Sequence, residues 1–347
     1  MSNLEESEKN DKQLDLDKSV DKKSLRQTGL KYDYEKEEDD VFYYVETSDV
    51  IMEYYKKQKT FSLEKYFIRI DDWLSKKTEQ SQNYPLLIES HSGVGKKTLL
   101  VQWIEYHNKT SYKHYKDIVI SHFASAGGNN SNYFFTIYRI LVKLRELFNI
   151  KQKVELLEEK IRKNFYYWLD LCSRKIKKNV TFDGDIIIVI EGIEHFKDIE
   201  TGRESNLKFW LPKVLPDRVK FIITAEANSN SHNYLRNIGS DVICLTPDKQ
   251  DVYMFDNMFA TLASKKYFVP QEHVDRVLHC VKTEFTEDLR GNALFVKTVV
   301  ATMCPYETAG IVEETETLKR RFKDIYENFN YQELCKIRTL DDLMQFI

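Results

Sequence analysis

The sequence predicts an α/β fold: a mostly parallel sheet with helices on both faces, followed by a smaller all-helical region. Three observations carry that expectation. Between residues 85 and 246, short β-branched runs alternate with segments of helical periodicity, the pattern of strands buried under crossover helices. A loop containing two glycines and ending in lysine joins the first of these strands to the helix that follows. After Pro247 the strand signals stop and only helical patterns remain.

The elements follow in order. Residues 1–40 hold 13 acidic and 8 basic residues. Their few apolar side chains cannot offset the entropy of ordering, so this acidic tail is expected to be disordered unless a partner holds it. Residues 41–80 form a helical lead-in. Its aromatic set Phe42, Tyr43, Tyr44, Tyr54 and Tyr55 is a candidate contact surface. Within it, Leu63, Tyr66, Phe67, Ile70, Trp73 and Leu74 recur at helical spacing over 62–76. Strands are expected at 85–88, 118–123, 186–190, 219–224 and 242–245. Helices are expected at 96–106, 131–148, 154–176 and 205–214. The α/β domain therefore spans 81–246. The helical domain spans 247–347, with helices near 249–265, 271–287, 292–303 and 314–328.

Composition narrows the function. The chain of 347 residues is 42% hydrophobic and 31% charged, which supports a packed core. Its net charge of −3 gives no basic stripe for nucleic acid. No apolar run reaches membrane length. No secretory leader is visible at the N-terminus. The five cysteines are odd in number and lack a C-x-x-C pair, so a reduced, cytoplasmic chain without structural zinc is expected.

The central motif is Ile88-Glu89-Ser90-His91-Ser92-Gly93-Val94-Gly95-Lys96-Lys97-Thr98. Its position between a buried strand and an amphipathic helix is that of a P-loop, whose backbone N–H groups and helix N-terminus cradle phosphates. Ser92, Gly93, Val94, Gly95, Lys96, Lys97 and Thr98 are the candidate nucleotide-binding residues, with Lys96 reaching the β- and γ-phosphates. Two positions depart from G-x-x-x-x-G-K-[ST]. Ser90 replaces the first glycine, a mild change. Lys97 replaces the hydroxyl that ligates Mg²⁺, a serious one. Thr98 lies one residue further, turned by about 100° around the helix, and does not substitute for it.

A second site candidate ends the most apolar strand, Ile186-Ile187-Ile188-Val189-Ile190-Glu191-Gly192-Ile193-Glu194. In P-loop enzymes an acid here holds Mg²⁺ through water and a neighbour positions the attacking water. Glu191 is the candidate indirect metal residue, and Glu194 the candidate water-positioning acid. Glu is one methylene longer than Asp, which shifts metal geometry. After the strand at 219–224 stand Ala225 and Glu226, where a phosphate-sensing arginine is absent. Arg236 reads as a solvated helix residue. His122 and His195, near strand ends, read as structural or solvated.

Six stretches in order resemble the NACHT-like signal-transduction (STAND) group, most closely the nephrocystin-3-like P-loop domain associated with tetratricopeptide and WD repeats. They are Pro85–Lys96 with Leu99, Leu100 and Trp103; Ile120–Ala124 with Asn130-Ser131; Ile190–Glu194; Trp210-Leu211-Pro212 with Leu215-Pro216 and Val219-Lys220; Leu245-Thr246-Pro247; and Gly291–Lys297. The resemblance covers roughly 60–330. It implies ATP or ADP binding, a switch or scaffold role, and for several members a ciliary setting. Joined to the altered metal positions, it yields the expectation of a degenerate nucleotide-binding domain with little or no hydrolysis. Such a domain would serve as an adaptor in a multi-subunit, microtubule-associated or axonemal assembly. The alternative is a slow ATPase switch that binds partners according to ATP or ADP.

Overall fold

The computed structural model describes residues 51–56, 63–76, 83–111, 117–155, 157–178, 184–197, 202–246 and 271–290, together with 292, 294, 295, 298, 330–334, 336, 337 and 342. The acidic tail, Phe42, Tyr43 and Tyr44, and the helices expected at 249–265 and 314–328 lie outside these residues. The chain divides into two compact units. One takes 1–56, 77–87 and 104–241; the other takes 57–76, 88–103 and 242–347.

Five strands form one sheet in the order β2-β3-β4-β1-β5. These are β1 (Leu86–Ser90), β2 (Ile118–Phe123), β3 (Ile186–Glu191), β4 (Val219–Glu226) and β5 (Asp241–Cys244). The β2–β3 and β3–β4 pairs are parallel, in registers running from Ile118↔Ile186 to Phe123↔Glu191 and from Ile186↔Val219 to Ile190↔Ile223. The central strands are apolar along almost their whole length because both faces are covered: every residue of β1 and β3 is buried.

In the first unit, α3 (Tyr133–Leu147) and α4 (Glu158–Lys178) supply the cover. Asn132 starts α3 by accepting from the Phe134 N–H, the preferred chemistry for a helix N-cap. Its apolar stripe of Phe135, Ile137, Ile140, Leu141 and Leu144 is buried, as are Ile161, Phe165, Trp168 and Leu169 of α4. Phe165 meets Phe221 of β4 edge-on, with ring centroids 6.2 Å apart. The Asn83 amide ties the chain ahead of β1 to β4 by donating to Val219 O at 2.7 Å and Pro216 O at 3.1 Å.

In the second unit, α1 (Glu64–Ser75) buries Tyr66, Phe67, Ile70 and Trp73, the stripe read from the sequence. The Tyr66 hydroxyl donates to Thr246 O at 2.9 Å. Asp71 accepts from the Trp103 indole of α2 (Lys96–Ser111) at 3.0 Å. Beside β1, the Leu245 N–H donates to Glu89 O and the Cys244 thiol to the Glu89 carboxylate, each at 2.8 Å. Further along the chain are α5 (Asn230–Asn237), α6 (Gln271–Glu284), α7 (Glu287–Arg290) and α8 (Tyr331–Leu334).

Two expectations are corrected. Residues 205–214 are not a helix: only a 3-10 turn forms at Leu207–Phe209. Pro212 has no N–H to give and pushes the preceding residue away from helical angles. The expectation of a reduced chain fails at Cys280, which is disulfide-bonded, whereas Cys172 and Cys244 are not in disulfides. Among the described residues no helix is long and apolar enough to cross a membrane.

Candidate functional site

Strand β1 ends at Ser90, and the chain turns through His91–Gly95 into α2. The turn needs left-handed backbone at two places, Gly93 (φ +80°) and Gly95 (φ +115°), where glycine carries no steric penalty. Val94 between them is buried and anchors the loop. The Leu99 N–H closes the first helical turn onto Gly95 O at 2.9 Å. The amides of Lys96, Lys97 and Thr98 precede that bond, in the first turn at the positive end of the helix. This is the geometry that binds phosphate. The Lys96 ammonium lies over the loop, donating to Ser90 O at 3.1 Å and His91 O at 3.2 Å.

Lys97 is half-buried at the start of α2, and Thr98 is buried.

The loop also has a contact that motif reading missed. Asn292, 9% exposed, donates its side-chain amide to Ser92 O at 2.8 Å. The Leu294 N–H donates to Gly93 O at 3.1 Å. A Cβ built on Gly93 would stand 2.5 Å from Asn292 Oδ1 and 2.8 Å from Leu294 Cβ. The sequence signal was the Gly291–Lys297 stretch of the family resemblance, which carried no hint that it touches the phosphate loop.

In the first unit, β3 delivers Glu191 to the end of the sheet, buried to 5% exposure. The Ser125 hydroxyl donates to Glu191 Oε2 at 2.6 Å. The chain then turns through Gly192 in the left-handed region (φ 69°, ψ 50°), and the Gly192 N–H donates to the Thr224 hydroxyl at 2.8 Å. Glu194 follows on a 3-10 turn, Ile193–His195; its side chain is 9% exposed and one oxygen stands 3.8 Å from the His195 imidazole. Ser125 and Thr224 carry no motif of their own. They meet the acidic turn only because β2, β3 and β4 end side by side.

On the same unit, residues 51–56 are helical. Tyr54 and Tyr55 meet edge-on at 5.0 Å, and Lys56 pairs with Glu105 at 3.4 Å. Burial, then the charges of the Tyr54 phenol oxygen and the Glu191 carboxylate, raise the pKa of the Tyr55 hydroxyl above its ordinary range.

The histidines divide as expected. His122 is buried, its Nε2 within 2.8 Å of Asn130 O and 2.9 Å of the Thr136 hydroxyl. Burial, helped by Arg139, pushes its pKa down to about 3, so it stays neutral. His195 is half-exposed. Arg236 is exposed on α5, donating to the His232 ring at 3.1 Å.

The parallel sheet, the strand–loop–helix cradle and the acid-terminated central strand define a P-loop NTPase fold. The chain's similarity lies with Nephrocystin-3 of Mus musculus, 28% identical over 168 residues, which is 48% of this chain and 11% of that protein. A TPR repeat-containing protein of Dictyostelium discoideum is 22% identical over 240 residues, 53% of this chain and 14% of its own length. The chain thus spans about an eighth of the length of these relatives. No family profile matches it. Among solved structures, the Aeropyrum pernix ORC2 protein in ADPNP–ADP complexes aligns at a TM-score of 0.42 with 12% identity, covering 74% of this chain and 65% of that one.

The residues present fit one part of a magnesium nucleotide and not the other. Left-handed glycines and the α2 N-terminus suit phosphate. The metal half departs at its direct ligand: Lys97 stands where a hydroxyl belongs.

Proposed function

We propose that this chain is a nucleotide-binding module with little or no hydrolysis, used as a structural or adaptor part of a larger assembly. One observation carries the reading: the loop holds Gly93 and Gly95 in left-handed backbone ahead of α2 with the Lys96 ammonium over it, while Lys97 stands at one Mg²⁺ position and Glu191 accepts from Ser125 at the other. Ser92–Thr98 would hold the phosphates of ATP or ADP, with the Lys96 ammonium moving from loop carbonyls to phosphate oxygens. Lys97 would supply positive charge where a metal ordinarily supplies it. Without a metal to neutralise developing charge, phosphoryl transfer loses its main support.

The adaptor role is supported by the similarity to Nephrocystin-3 and to a TPR repeat-containing protein. A cytoplasmic, ciliary or axonemal setting follows from the family resemblance, and protein partners rather than nucleic acid from the absence of a basic stripe. The second reading, a slow ATPase switch, is favoured by the low exposure of Glu194 on the turn after β3. Turnover decides between them. The adaptor reading expects no sustained phosphate release above a Lys96→Ala control. Steady hydrolysis abolished by that substitution supports the switch instead.

A further inference from the structure

Asn292 makes three hydrogen bonds whose directions agree. Its Oδ1 accepts from the Leu294 N–H at 3.1 Å and the Phe295 N–H at 3.0 Å. Its Nδ2 donates to Ser92 O at 2.8 Å. The two amides fix Oδ1 as the acceptor, so the NH₂ group must face the loop carbonyl. The residue caps its own helical turn and reaches 200 positions back to the phosphate loop. The Leu294 N–H adds a second tie, to Gly93 O.

These ties fall on consecutive carbonyls, Ser92 and Gly93. A phosphate cradle works by turning its N–H groups inward, which turns its carbonyls outward. Carbonyls held from outside keep each peptide plane in that orientation before any ligand arrives, and pre-organisation of this kind strengthens binding. At Gly93 the loop approaches this segment closely enough to exclude a Cβ.

We propose that Asn292 is a positioning residue of the phosphate loop. Its side chain clasps the Ser92–Gly93 peptide from the helical segment, orients the loop amides for a nucleotide's phosphates, and couples loop occupancy to residues 292–295. The coupling to nucleotide rests on the reading given under Proposed function.

Two substitutions in the full chain test it. Asn292→Ser keeps a hydroxyl that can cap the Leu294 and Phe295 amides but lacks the length and the amide to reach Ser92 O. Asn292→Ala removes both functions. Hydrogen exchange across residues 90–98, thermal midpoint, and ADP titration are measured for each. The clasp predicts that serine restores the thermal midpoint lost in the alanine variant. It also predicts that serine leaves faster loop exchange and ADP binding about fivefold weaker, the ratio one hydrogen bond carries. In the wild type, ADP should slow exchange at 292–295, and in the serine variant it should not. Serine behaving as wild type in exchange and affinity overturns the clasp while leaving nucleotide binding intact. A wild type that takes up no ADP, with loop exchange still raised by serine, sinks the nucleotide reading and supports the positioning role.

Discussion

Two glycines mark the ends of the two strands that ought to carry the chemistry. Both are left-handed, and both face a side chain where a Cβ would stand. At Gly93 the obstacle is Asn292 Oδ1 at 2.5 Å, held by hydrogen bonds to two backbone amides. At Gly192 it is His195 Cδ2 at 2.7 Å, on a half-exposed ring three residues away. The first neighbour is fixed by tertiary structure and cannot yield; the second is local and can swing into solvent. The phosphate loop is therefore held rigidly from outside. The acidic turn is held from beneath instead, by the Thr224 hydroxyl and by Ser125.

That contrast predicts an order of effects. Gly93→Ala should be the most damaging. Left-handed strain of about 1–2 kcal/mol adds to the collision with Asn292, so a loss of about 3 kcal/mol is expected. Denaturant unfolding of the full chain measures it, and a loss no greater than that of Gly192→Ala would break the comparison.

Thr224→Val comes next. It conserves shape but leaves the Gly192 N–H without its acceptor in a buried place, costing about 1–3 kcal/mol. The same unfolding series reads it, and a neutral result would show that the hydroxyl does not hold the turn.

Gly192→Ala should cost about 1 kcal/mol, the strain alone, since the imidazole can move aside. Combining it with His195→Ala should recover nothing further if the ring already yields.

A change of pH acts most gradually, spread over several pH units rather than delivered by one substitution. His122 is neutral in the folded chain, with its pKa lowered from 6.5 to about 3 by burial and by Arg139. Between those values the unfolded chain binds a proton that the native chain refuses. Stability should therefore be full above pH 6.5 and fall as pH drops toward 3, by on the order of 1 kcal/mol per pH unit from this residue. His273, lowered from 6.5 to about 4 by burial and then Arg276, adds slope in the same direction. Thermal midpoints across that range, compared with a His122→Gln variant, should show a shallower decline in the variant.

Much of this fold was legible in the sequence. Strand β2 begins and ends at the expected residues, 118 and 123, and the α1 stripe is the one that is buried. Such features depend on local periodicity. Residues 205–214 carry helical apolar spacing, but Pro212 stops the helix there. The candidate site was legible in its glycines, Lys96 and acids. Its supports were not, because Ser125, Thr224 and Asn292 act through contacts 66, 32 and 200 residues away. A serine, threonine or asparagine in a loop has no signature until the fold chooses its partner.

The central claim is that the loop retains phosphate binding after losing its metal support. Calorimetric titration of the full chain with ADP, once with excess Mg²⁺ and once with excess EDTA, tests it most directly. The account predicts affinities in the two conditions that agree within about twofold, under 0.5 kcal/mol, and no binding by Lys96→Ala. Binding that appears only with Mg²⁺ would contradict it.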